Sequence, residues 1–446
     1  MTILTNAALA ALGPALIAAS FWLTLEQVEP FVSHIYLFAW YGLIFSFDQL
    51  IRRIEGRSLI VTCGPSFALL LFWSAVAWFL FELINLRLEN WYYVFLDGSA
   101  AHRLVGTVFA FATVFPGIFW IDHYLQLKGT AVGWRGPAIH LTRSSSYWLQ
   151  CAGTLLMLMA MIWPRYFFAG VWLGVLLIVA PINYRRHVDG ILRQLESGSY
   201  GPTARLLLSG LLAGGLWEFF NFWARAKWIY TVPFFDELKL FEMPLFGFLG
   251  FPPFALECAC LYRLLVSWRL APSFGAFIAA DARPPGMWRT PLFTAGLFTT
   301  AIVGSLVSFH YMDRHTVAST VPRVGLVEGL NARVRERLTD LGIRHLTQLE
   351  GRGSPLLWQH LEENLGADDS RQLRQISGLY LHQGIGTDFG NLLVEAGCRS
   401  LEDMGGYAQE PQLLLERMAL VAAGRRLPTL AQLEVWLRRL PTRASD

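Results

Sequence analysis

Charge is scarce in this 446-residue chain: Asp, Glu, Lys and Arg make up 15% of it. Ordinary soluble domains carry about 25%, so an ordinary soluble globule is excluded. A net charge of +3 leaves no strong basic field for holding nucleic acid. The five cysteines, Cys63, Cys151, Cys258, Cys260 and Cys398, show no metal-ligand spacing and no disulfide framework. Cys258 and Cys260 lie in an apolar run and read as buried thiols. The N-terminus lacks a basic n-region and a clear cleavage site, so its apolar run reads as a retained span. Nothing in the sequence calls for a cofactor.

Apolar and aromatic residues are abundant instead: 54% of the chain is hydrophobic, with 17 Trp and 32 Phe. The few charges cluster, which divides the chain into an apolar part over 1–312 and a normally charged tail over 318–446. Nine segments are long and apolar enough to cross a bilayer, which takes about 20 residues each. They fall near 5–24, 32–51, 66–86, 103–123, 146–163, 167–184, 204–222, 246–266 and 290–311.

Lys and Arg in the short loops set the orientation. One set of loops holds fourteen: Arg52, Arg53, Arg57, Lys128, Arg135, Arg143, Arg185, Arg186, Arg193, Arg205, Arg263, Arg269, Arg283 and Arg289. The opposite set holds six: Arg87, Arg103, Arg165, Arg225, Lys227 and Lys239. The first set is expected in the cytoplasm, with the N-terminus. The tail then lies on the outer side, in the periplasm of a bacterium whose inner membrane carries the chain. Asp48 beside Arg52-Arg53, and Asn183 beside Arg185-Arg186, sit at basic loop ends that read as topology determinants and lipid contacts.

One pattern occurs twice. Residues 78–93 read WFLFELINLRLENWYY and residues 217–230 read WEFFNFWARAKWIY. Glu82 and Glu218 lie 136 positions apart, as do Asn85 and Asn221. Trp91 and Tyr93 match Trp228 and Tyr230 at an offset of 137. Gly64-Pro65-Ser66 matches Gly201-Pro202-Thr203, and Phe115-Pro116 matches Phe251-Pro252. The offset covers four spans, an even number, so halves 5–123 and 146–266 share one orientation. The expected fold is all-α: a parallel 4+4 duplication plus one span, 290–311, that tethers a small soluble domain.

Glu82 and Asn85 share a helix face at i, i+3, as do Glu218 and Asn221. Each pair falls at the outer end of an apolar run, where such groups need partners and are functional candidates by default. The aromatic stretches that follow suit an interfacial belt. The second half adds Asp236, Glu237 and Glu242, then Pro252-Pro253, which are expected to break the helical ladder where freed backbone groups find partners or line a cavity. Glu257 lies deep in the eighth span, and the position 136 before it is Ile121, so it has no counterpart.

Three readings of these residues compete. A carboxyl group in a low-dielectric pocket can hold a proton for transfer to a lipid-soluble substrate. The acid/base candidates are then Glu82, Glu218 and Glu257. The substrate contacts are Asn85, Asn221, Trp91, Tyr93, Trp228, Tyr230 and Glu242. Alternatively, the paired faces line a polar path for an ion or solute. Or they are structural, with Glu accepting hydrogen bonds from Trp indoles or from an Arg of the other half and locking the two halves together. His34, His102 and His310 are expected near the same face, but Asn in the Glu-x-x-Asn pattern is a poor substitute for the histidine of carboxylate-bridged metal sites, and no metal is expected.

The membrane part resembles uncharacterised bacterial polytopic proteins with Trp-Glu-x-x-Asn and Phe-Glu-Met-Pro patterns. Through Glu82, Trp91, Tyr93, Glu218, Trp228 and Tyr230 it also looks distantly like the membrane lycopene cyclases. That resemblance implies repeated helical units whose carboxylates protonate a polyene. It departs from their Pro-x-Glu signature, since Glu242-Met243-Pro244 runs in reverse.

The tail holds two similar pieces. Val327-Glu328-Gly329-Leu330 precedes a helix and then Leu341-Gly342-Ile343. Gln383-Gly384-Ile385-Gly386 precedes a helix and then Ala396-Gly397-Cys398. These resemble tandem helix-hairpin-helix repeats. The closing Arg426-Leu427-Pro428-Thr429-Leu430 with Val435-Trp436-Leu437 looks like the end of a bacterial helix-hairpin-helix family of unknown function. The wider class often binds DNA. The tail, however, carries 15 Arg, no Lys and 16 Asp plus Glu over 318–446, and phosphate binding needs a basic face. The expectation is a module for a protein partner or self-association, not for nucleic acid. The function expected overall is an outward-facing pocket for an isoprenoid or lipid, surrounded by membrane lipid. The alternative is a scaffold or channel whose tail recruits a protein. Whether the chain is an enzyme stays open.

Overall fold

The computed structural model describes residues 2–235, 238–273, 291–350 and 354–441. Asp236, Glu237, Arg283 and Arg289 lie outside the described residues. The fold is mostly helical, and among the described residues nine helical segments are long and apolar enough to cross a bilayer. They are built from α1 (Thr2–Leu25), α2 (Phe31–Glu55), α3 (Gly64–Leu88), α4 (Ala100–Phe111) with α5 (Val114–Leu127), α6 (Arg143–Ile162), α7 (Val171–Arg185), α8 (Gly201–Trp223), α9 (Phe251–Ser267) and α10 (Pro291–His315). Three of the nine are interrupted. The fourth breaks at Ala112-Thr113, between α4 and α5. In the sixth, Pro164–Arg185, a 3₁₀ turn over Phe168–Gly170 precedes α7. In the eighth, a 3₁₀ turn over Leu245–Gly250 leads into α9.

Prolines mark the interruptions of the fourth and eighth without causing a break at their own positions. Pro116 is the third residue of α5, and Pro252 and Pro253 are the second and third of α9. In a first turn the missing N–H has no helical partner to lose. Pro65 and Pro202 start α3 and α8 in the same way. The ladder therefore breaks ahead of Pro252-Pro253, rather than at them.

The ends of the bundle differ. At one end Glu55 meets His123 at 3.0 Å, and Asp122 accepts from Arg205 at 2.9 Å. At the other end Arg225 meets Glu29 at 2.6 Å, and Arg103 binds both oxygens of Asp313 at 2.6 and 2.7 Å. The second end carries a small ribbon. Strands β1 (Trp91–Val94) and β2 (Lys227–Tyr230) pair antiparallel, with Trp91 opposite Tyr230 and Tyr93 opposite Trp228. The segment after α10 runs parallel beside β1 through isolated bridges: Tyr93 N–H donates to Thr316 O at 2.9 Å, and Ala318 N–H to Tyr93 O at 2.8 Å.

Side chains alternate between the faces of a strand, and this ribbon uses both. Tyr92, Val94 and Ile229 belong to the apolar core of the tail. Trp78, which donates to Glu82, packs beside Trp91 on the bundle side. The tail helices are α11 (Ala332–Asp340), α12 (Ser354–Leu365), α13 (Ala367–Leu381), α14 (Gly386–Glu395), α15 (Leu401–Gly405), α16 (Pro411–Val421) and α17 (Leu430–Arg438). The hairpin between α13 and α14 rests on the ribbon. Tyr92 OH donates to Gln383 O at 3.0 Å, and a Cβ on Gly384 would stand 2.1 Å from Val94 Cγ1. Arg426 donates to the carbonyls of Arg314, His315 and Val317 at 2.7–2.9 Å. It thereby satisfies groups that the end of α10 leaves without helical partners.

His382, at the start of that hairpin, shares a 2.8 Å hydrogen bond with Trp436 O. Burial lowers its pKa from the usual histidine value of 6.5. The fold therefore favours neutral imidazole. This contribution to stability is complete above about pH 6.5 and is lost as pH falls through the depressed value. Thermal unfolding of the full chain in mild detergent, followed by near-ultraviolet dichroism, is expected to show an earlier tail transition at pH 5.5 than at pH 7.5. His382→Gln should shrink that difference. An unchanged difference would clear His382 of the effect.

Candidate functional site

The two Glu-x-x-Asn motifs end α3 and α8, directly below the ribbon. Their asparagines act alike. Asn85 Oδ1 accepts from Asn90 N–H at 2.9 Å, and its amide donates to Trp91 O at 3.0 Å. Asn221 Oδ1 accepts from Trp228 N–H at 3.0 Å, and its amide nitrogen donates to Trp228 O at 2.9 Å. Each buried amide fastens the strand that follows to its own helix. Asn85 and Asn221 are not among the residues that line the cavity described below.

The glutamates differ. Glu82 Oε1 accepts three hydrogen bonds, from Trp78 Nε1 at 3.0 Å, Trp91 Nε1 at 3.1 Å and Tyr93 OH at 2.6 Å. Glu218 Oε1 accepts Tyr230 OH at 2.7 Å, while Trp228 Nε1 donates to that tyrosine's oxygen at 2.9 Å. Burial and then the neighbouring carboxyl push both phenols well above their usual range, so Tyr93 and Tyr230 serve as donors. Both glutamates are fully buried, and the second oxygen of each has no protein partner.

A cavity of about 210 Å³ opens beneath the ribbon. Its inner wall is aromatic: Trp78, Trp91, Trp172, Trp217, Trp228 and Phe254. Trp91 and Trp172 stack at 6.5 Å, and Phe254 meets Trp172 edge-on at 5.7 Å. Glu218, Tyr93 and Tyr230 line it, whereas Glu82 and Glu257 do not. The asymmetry has a local cause. Trp78 covers Glu82 one turn earlier on α3. The residue 136 positions on from Trp78 is Gly214, where a Cβ would come within 2.1 Å of the Phe251 ring. No indole covers Glu218 from that position.

The mouth is polar and balanced, with His34, Asp97, His102, Arg103 and Lys227 on its rim. Arg103 is held by Asp313, and Lys227 by Glu242 at 2.6 Å. Glu242 is not on the wall. It bridges Lys227 and Arg439 of the tail, the latter at 3.0 Å. Glu257 sits apart in α9, where Oε1 accepts Leu176 N–H at 3.3 Å. His34 and His102 reach the mouth. Among the described residues, no three His, Cys, Asp or Glu side chains gather to hold a metal.

The structure thus brings Glu218, Trp91, Tyr93, Trp228 and Tyr230 to one cavity. It leaves Glu82, Asn85, Asn221 and Glu242 around it and Glu257 away from it. Sequence reasoning missed Trp78, Trp172 and Trp217. Trp78 is i−4 to Glu82 and so was within reach of a helix-face argument, while Trp172 comes from a span that carries no motif. Comparison with family models, curated proteins and solved structures finds no match for this chain.

Proposed function

We propose that the chain is a multi-pass protein of the bacterial inner membrane that binds a hydrophobic molecule, an isoprenoid or lipid, in an outward-facing pocket. Its N-terminus is cytoplasmic and its tail periplasmic. The loop asymmetry of Lys and Arg supports that orientation, and so does an odd number of candidate spans with the tail against the less basic end. The membrane core is a parallel duplication. The pairing of Trp91–Val94 with Lys227–Tyr230 in one ribbon supports this, because the repeated motifs then face each other across a local two-fold.

The observation that carries the pocket is a fully buried carboxyl in a largely aromatic cavity lining, with one oxygen anchored and the other left without a protein partner. Binding sites for small apolar molecules combine apolar walls with a few placed polar groups in this way. Glu218 is the group that would meet the ligand. Glu82 orders the ribbon. A scaffold is the second reading, favoured by Glu82 itself, whose bonded partners all come from its own helix and strand.

Mass spectrometry of compounds that copurify in mild detergent tests the reading. Gly106 lines the cavity, and a Cβ there meets nothing within 4 Å, so Gly106→Phe adds bulk to the pocket from a position whose first side-chain atom has open space. One apolar compound retained by the wild type and depleted several-fold in Gly106→Phe, at unchanged melting temperature, is the expected result. Bulk lipid alone in both would favour the scaffold.

A further inference from the structure

The cavity has two buried polar atoms that the protein leaves unpaired, and they are of opposite kinds. As a carboxylate Glu218 presents Oε2 as an acceptor, Trp217 Nε1–H is a donor, and neither has a hydrogen-bond partner. Both residues line the cavity, with relative exposures of 0% and 5%. Buried polar groups are nearly always satisfied, and an orphaned one costs free energy. The hydroxyls of Tyr93 and Tyr230 and the indoles of Trp78, Trp91 and Trp228 on the same lining are already bonded within the protein, and the remainder is mostly apolar. The two cations at the mouth already have carboxylate partners, so nothing free remains to neutralise a phosphate or carboxylate headgroup.

Building on the pocket reading above, we infer that the ligand is an uncharged amphiphile whose apolar body ends in a hydroxyl group. A hydroxyl is both donor and acceptor. Its hydrogen satisfies Glu218 Oε2 and its oxygen accepts from Trp217 Nε1. A hydrocarbon would leave both protein groups unpaired, and an ether would leave the carboxyl oxygen unpaired. Sites built to hydrogen-bond a ligand discriminate against analogues that lack the group, because the site's own polar atoms are then stranded. The chain's aromatic wall supplies affinity for the body, and these two atoms supply the choice of end group.

Farnesol, its methyl ether and farnesene share a body and differ at that end. Titration calorimetry of the full chain in mild detergent is expected to rank farnesol about tenfold or more above the other two. Trp217→Phe removes the donor and keeps a ring. It should weaken farnesol about fivefold and leave farnesene unchanged, so farnesene also reports that the pocket is still formed. Equal binding of all three to the wild type would overturn the hydroxyl inference while leaving an apolar pocket. So would a loss for farnesene as large as that for farnesol in Trp217→Phe. Binding of none would overturn the pocket reading itself.

Discussion

Glu82→Ala is expected to lower stability by about 3–5 kcal/mol, the range seen when a buried hydrogen-bond network loses its centre. One carboxyl oxygen receives Trp78 Nε1, Trp91 Nε1 and Tyr93 OH, all within 3.1 Å. Removing it strands three buried donors, each costing about 1–3 kcal/mol unless water enters. It also leaves a void where the carboxyl stood. Trp91 and Tyr93 are the strand residues that turn toward the bundle, so β1 should loosen first. Glu82→Gln keeps an acceptor oxygen and should cost far less. At Glu218 the alanine change strands only Tyr230 OH and should cost correspondingly less than at Glu82. Denaturation of the variants in one detergent measures the order. Equal losses at Glu82 and Glu218 would show that the three-donor clamp is not the stronger one.

The long apolar helices were legible in the sequence because a helix long and apolar enough to cross a bilayer needs an unbroken apolar run, and such runs are visible without knowing what packs on what. The repeated Glu-x-x-Asn was legible as a special place because polar groups at the ends of such runs are costly. What each residue does there was not legible. Asn85 and Asn221 bind backbone atoms six and seven residues ahead, which depends on how sharply the chain turns after each helix. The division between Glu82, shut off behind Trp78, and Glu218, which lines the cavity, rests on one substitution, Trp78 against Gly214. Its meaning emerges only when Phe251 is seen packed at that glycine. Glu242 read as a pocket residue because it is acidic and near the motif in sequence. Its place was decided by Arg439, almost 200 residues away. Trp172 reaches the wall from a helix whose sequence marks nothing but hydrophobicity.

The tail was read as a module for a protein partner or self-association, and one of its hairpins lies against the chain's own ribbon. Gly384→Ala is expected to separate the two. Gly384 has φ +73°, which a side chain disfavours, and its Cβ would stand 2.1 Å from Val94 Cγ1 and 2.4 Å from Val94 Cβ. Val94 is fully buried on a paired strand and cannot move aside. The combined strain and overlap should cost about 2–4 kcal/mol. The contacts that must yield are those of the hairpin: Tyr92 OH on Gln383 O, and Arg439 between Gln383 and Glu242. Hydrogen exchange reads the outcome at specific amides. Ala318 N–H, bonded to Tyr93 O, and Val321 N–H, bonded to Leu96 O, should lose protection at least tenfold, while the interiors of α3 and α8 keep theirs. Because Tyr92 and Tyr93 are neighbours on opposite faces of one strand, loosening the tail side should also weaken whatever the pocket holds. Unchanged exchange at Ala318 and Val321 would mean that the hairpin contact contributes little to holding the tail, and that α10 and Arg426 hold it alone.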